Sequence, residues 1–242
     1  MKHLLTAAFL CCSLHLAAQD ADEWKPASKE SQAYAEYRSK ITVPPYGLAK
    51  VKKLIAGIQA PDEDVPAKPA DKDYMALSLR EKFTYHMIHA EIFSQNCDVQ
   101  PPVQDEHKKI FGTLPDAFDE QSWSERQLNF LTSNRDSVMA IIKESVTRSK
   151  RMGVNYKHAV VEVNGKEMIP FLIDIYNTDK KDHDILTVLL LLMRKNEYQP
   201  FMASSSYRKL YGDNADFKAY IDFNTANEAL IIERATNFYK NR

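Results

Sequence analysis

His86 and His89 are the pair whose residue types and spacing come nearest to chemistry in this chain. They lie three positions apart in a segment, 79–93, whose pattern predicts a helix, so both imidazoles occupy neighbouring positions on one face. Two imidazoles so placed can ligate zinc. Glu91 falls nearly on the opposite side of such a helix and is not a natural third ligand. Further ligands would come from elsewhere, and His183, Asp182, Asp184, Asp98 and Cys97 qualify by chemistry. Such a centre would support a metal-dependent hydrolase. The same segment carries Phe83, Tyr85, Met87 and Ile88, a setting that equally fits two histidines packed at a core edge.

The other polar clusters are plainer. Asp182-His183-Asp184 reads as an acid–base or metal cluster, or as a carboxylate capping the helix that follows. Ser204-Ser205-Ser206 lacks the strand-to-helix elbow of a nucleophilic serine. There is no HExxH, no CxxC and no P-loop. Trp24, Trp123 and the twelve tyrosines would suit a sugar- or peptide-binding face, or simply helix-junction packing. The expectation is therefore a non-catalytic binding or scaffold protein with no cofactor and a protein or peptide partner. The zinc hydrolase using His86 and His89, with His183 as a further ligand, is the alternative.

The first nineteen residues set the compartment. Lys2 and His3 form a basic start, Leu4 to Leu16 is largely apolar, and Ala17-Ala18-Gln19 precedes the acidic Asp20, Asp22 and Glu23. That order is the pattern of a secretory signal, and it resembles bacterial export signals ending in Ala-Gln. The apolar stretch is too short for a bilayer, which needs about 20 residues. Cleavage after Gln19 leaves one domain, 20–242, outside the cytoplasm. Lipidation at Cys11 or Cys12 is a competing reading, although Ala8-Phe9-Leu10 lacks the small residues a lipobox needs. With both cysteines removed, Cys97 stands alone and stability rests on core packing.

Charge excludes one class of partner. Lys plus Arg total 32 against 33 for Asp plus Glu, which leaves no basic excess for nucleic acid. Lys143, Arg148, Lys150 and Arg151 form one basic cluster, at a predicted helix end where cations suit the dipole. Six glycines are too few for hairpin-rich architecture or phosphate-cradling loops.

The pattern predicts an all-α fold of paired antiparallel helices. Helical spacing covers 34–41, 47–57, 79–93, 136–151, 166–176, 184–196 and 225–239, with short helices near 105–111 and 156–163. Ser78 with Glu81 and Ser124 with Gln127 are capping boxes. Residues 59–73 read as a solvated loop rich in Pro, Asp and Lys. The run from Ile185 to Met193 predicts a helix buried on several sides.

Segment 163–193 carries Asn164-Gly165-Lys166-Glu167-Met168-Ile169-Pro170-Phe171, then the Asp182-His183-Asp184 turn and a second apolar helix. It resembles one HEAT-type helical repeat, with 47–93 as a degenerate second copy. The resemblance implies a scaffold or binding surface and names no ligand. The alternatives are a short HEAT-like solenoid and an irregular bundle, since no strict period recurs.

Overall fold

The run around Leu189 becomes the centre of the molecule. In the computed structural model, which describes residues 25–59, 66–93, 95 and 100–241, it forms a helix whose Ile185, Leu186, Val188, Leu189, Leu190, Leu192 and Met193 are all buried. Helices make up 60% of the described residues and strands 5%, so the helical expectation holds at the level of class. In chain order the elements are α1 (Lys29–Ser39), α2 (Leu48–Ala56), α3 (Asp71–Met75), α4 (Leu79–Ile88), β1 (Ile92–Phe93), β2 (Lys109–Phe111), β3 (Gln121–Ser122) and α5 (Glu125–Ser133). There follow α6 (Arg135–Ser149), α7 (Val154–Glu162), α8 (Ile169–Thr178), α9 (His183–Lys195), α10 (Gln199–Met202), α11 (Ser205–Tyr211), β4 (Tyr220–Asp222) and α12 (Thr225–Lys240). The central helix is α9, which packs against α7, α8, α12 and β2. A smaller apolar cluster, Val51, Tyr74, Leu77 and Tyr85, joins α2, α3 and α4. No described helix is long and apolar enough to cross a membrane.

Both capping boxes form. Ser78 Oγ accepts from the Glu81 N–H while Glu81 accepts from the Ser78 N–H at 2.7 Å. Ser124 and Gln127 make the same exchange at the start of α5.

Three expectations are corrected. The helix predicted over 79–93 stops at Ile88, and His89 is extended (φ −150°, ψ 128°). The reason lies in Gln127, whose amide donates to the His89 carbonyl at 2.8 Å and accepts from the Glu91 N–H at 3.1 Å. It thereby captures the backbone groups that would have continued the helix. Residues 105–111 hold a 3₁₀ turn (Glu106–Lys108) followed by β2, which pairs antiparallel with β4 through Ile110 and Ile221. A second ribbon pairs β1 with β3. Residues 71–73, read as loop, open α3, and residues 60–65 lie outside the described set.

The first helix is docked in an unusual way. Its buried residues are Ser31 and Arg38, both polar. Ser31 Oγ donates to the Val103 carbonyl and accepts from the Glu106 N–H. Arg38 donates to Asp184 at 2.9 Å and to Glu106 at 2.5 Å, with its guanidinium 4.2 Å above the Phe111 ring. Lys157 completes the network, 2.6 Å from Asp182 and 3.7 Å from Asp184, so two cations serve three enclosed carboxylates. Burial raises the Asp182 pKa above the ordinary carboxylate value, against the pull of Lys157.

Candidate aromatic groove

With its polar side committed to the core, α1 turns another stripe outward. Glu30, Ala33, Tyr34 and Tyr37 recur at helical spacing and line one wall of a groove of about 830 Å³. The opposite wall comes from the α8–α9 turn, Thr178 to Lys181, and from His183 and Phe223. His107 lines the same space. An open, aromatic cavity of this size is the usual form of a small-ligand or peptide site.

Four rings run in series along the groove. Tyr37 and Tyr34 are 6.2 Å apart and nearly parallel at 21°. Tyr34 is 5.2 Å from His183, which stacks on Phe223 at 3.6 Å and 22°. Local bonds fix the ladder. The His183 N–H donates to the Tyr34 hydroxyl at 3.1 Å, and Arg151 covers the Tyr37 ring at 4.4 Å while donating to its carbonyl. Burial pushes the Tyr37 phenol up to about 12, so it stays neutral. The Nδ1 atoms of His107 and His183 are sealed from solvent and have no hydrogen-bond partner.

The residues singled out in the sequence are distributed between different places. His86 is fully buried, its Nε2 3.1 Å from the Tyr74 hydroxyl and its ring 4.6 Å from Phe130. Burial, with the Arg126 charge, holds its pKa well below the ordinary histidine value. His89 sits outside the helix and its Nε2 donates to the Ala67 carbonyl at 2.6 Å. Both imidazoles border the Tyr85 ring, at 5.3 and 5.2 Å. His183 shares none of these neighbours and belongs to the groove. Among the described residues no three His, Cys, Asp or Glu side chains are placed to hold a metal. Cys97, Asp98, Cys11, Cys12 and Trp24 lie outside the described residues. Asp182 and Asp184 cap nothing: Asp182, at the α9 N-cap, makes no side-chain cap bond, and both carboxylates face the buried cations. Tyr34, Tyr37, His107 and Phe223 were not singled out by the sequence.

His183 gives the groove a pH signature. Burial depresses its pKa to about 4, partly offset by a ring hydrogen bond to the Lys109 backbone. The folded state thus keeps it neutral while the unfolded chain protonates near 6.5. Stability from this group is complete above pH 6.5 and is lost as pH falls towards 4. We expect His183→Phe, which retains a ring on Phe223, to flatten the fall in melting temperature over that window. Identical slopes for the two proteins between pH 6.5 and 4 would count against a buried neutral imidazole.

Compared with known proteins, the chain matches no family model, no curated protein and no solved structure.

Proposed function

We propose that this chain is an exported, non-catalytic binding protein of the cell envelope, and that the aromatic groove beside α1 is where it binds. The observation that carries this reading is the orientation of α1. The fully buried residues of α1 are the polar Ser31 and Arg38, while its half-buried Tyr34 and Tyr37 border an open cavity. Half-buried aromatic rings that border an open cavity can serve recognition as well as packing. The reading draws its compartment from residues 1–19, whose charge, apolar core and small-residue exit match an export signal. We read the helices as an irregular bundle in preference to a HEAT-like solenoid. The support is that α9 meets α12 and β2 as well as its sequence neighbours, whereas solenoid repeats contact only adjacent repeats. The zinc hydrolase has less in its favour, because His86 is enclosed and one nitrogen of each histidine is already engaged.

A photo-crosslinking amino acid at position 37, in protein expressed in its native host, tests the reading. The expected result is an envelope-fraction adduct of defined mass that is missing when the same amino acid replaces Phe217, an exposed ring elsewhere. Equal labelling at the two positions, or an intact N-terminus in the cytoplasmic fraction, would refute it.

A further inference from the structure

A second, smaller cavity adjoins the groove, and the charges around it are divided by depth. Its volume is about 170 Å³, and it shares Tyr37, Thr178 and Asp179 with the groove. The buried Asp182 lines its interior, while Lys150 and Arg151 stand at its rim with Asp179. Met152, Ile175 and Ile185 supply apolar walls. We infer that this cavity binds a small zwitterion with an aliphatic body, an amino acid such as valine, its ammonium on Asp182 and its carboxylate on Arg151 and Lys150. The inference goes beyond the groove and does not depend on what the groove binds.

The interior is short of one cation. Arg38 and Lys157 face Glu106, Asp182 and Asp184, which leaves one negative charge uncompensated in the enclosed network. Lys157 is divided between Asp182 Oδ1 at 2.6 Å and Asp184 Oδ2 at 3.7 Å. Among the described residues Asp182 has no second ion-pair partner, and it is the one carboxylate of the three that lines the cavity. A carboxylate withdrawn from water gains most from a further charged donor, which an ammonium supplies. The rim has the reverse balance. Lys150 is exposed, and Arg151 spends one guanidinium N–H on the Tyr37 carbonyl and keeps others for an anion. With Asp179 set against these two cations, the rim carries one positive charge in excess. A simple amine would meet that charge on entry, and a simple carboxylate would meet Asp182 inside. A zwitterion complements both ends, and an aliphatic body suits the apolar walls between them.

The test is backbone NMR of the protein without its first nineteen residues, titrated with L-valine, with isobutylamine, which lacks the carboxylate, and with isovalerate, which lacks the ammonium. L-Valine should shift Met152, Ile175 and Ile185, which line this cavity and not the groove, so the result is separable from the crosslink at position 37. It should bind at least about tenfold more tightly than either half-molecule, the worth of one charged hydrogen bond. Asp182→Asn should weaken L-valine more than about tenfold and keep the fold, because it leaves two cations facing two carboxylates. Lys150→Gly is the second variant and decides alone if the first fails to fold. Lys150 has φ 57°, which glycine adopts freely, so the change removes a rim charge without straining the end of α6. It should weaken L-valine about fivefold, the worth of an exposed charge contact, and spare isobutylamine. Either half-molecule binding as tightly as L-valine would overturn the zwitterion. Shifts outside the cavity, unchanged L-valine binding in both variants, or silence from all three probes would overturn the site.

Discussion

Arg38→Met is expected to cost about 3–5 kcal/mol, the range for breaking one side of a buried ion pair. The methionine fills the volume but leaves enclosed carboxylates behind. Asp184 keeps Lys157 at 3.7 Å, whereas among the described residues Glu106 has no second ion-pair partner. The loss should be concentrated in α1. In hydrogen exchange, amides of Lys29–Ser39 should lose protection first, while those of α9 keep theirs until global unfolding. Adding Glu106→Gln should return part of the stability, because it removes the orphaned charge. If the single variant melts within a degree of the parent, the network is not what holds α1.

Gly153→Ala should cost about 3 kcal/mol, at the upper end of the range for overpacking. A Cβ at that position would lie 2.1 Å from the Thr42 nitrogen and 2.5 Å from the Ile41 carbonyl carbon. Those are backbone atoms and cannot swing aside. They are also fixed from the other side, since Asn155 accepts from the Thr42 N–H at 2.9 Å and donates to the Thr42 and Met87 carbonyls at 2.8 Å. Gly57→Ala is the matched control. Its nearest neighbour would be the Leu54 carbonyl oxygen at 3.5 Å and its φ is −90°, so the change should be neutral or stabilising by about 0.4–1 kcal/mol. Urea denaturation of the two variants checks the pair. Similar midpoints for both would show that residues 41–42 do not press on the start of α7.

What the sequence made legible depended on how local the cause was. The capping boxes at Ser78 and Ser124 are set within four residues and appear as expected. The buried helix around Leu189 announces itself by composition. The end of α4 was not legible, because it is imposed by Gln127 across 38 positions in sequence. The β2–β4 pair joins three-residue strands more than a hundred positions apart with no hairpin turn to mark it. The groove was half visible. Tyr34 and Tyr37 already share a face of any helix that contains them, and His183 was noticed for its chemistry. Nothing local says that Phe223 will stack on His183, and one tyrosine in twelve looks like another until the fold orients it.

The polar docking of α1 also sets an order of events in folding. An isolated helix of eleven residues is marginal in water, and this one has no buried apolar stripe to hold it to a nascent core. Its anchors arrive late: Arg38 waits for Glu106, 68 positions on, and for Asp184, 146 positions on. Closing so long a loop on charged groups is favourable only once α9 is packed and water has been excluded around it. A chain that emerges N-terminus first is therefore expected to carry this segment loose until about three-fifths of its length has followed, with the groove formed late in folding.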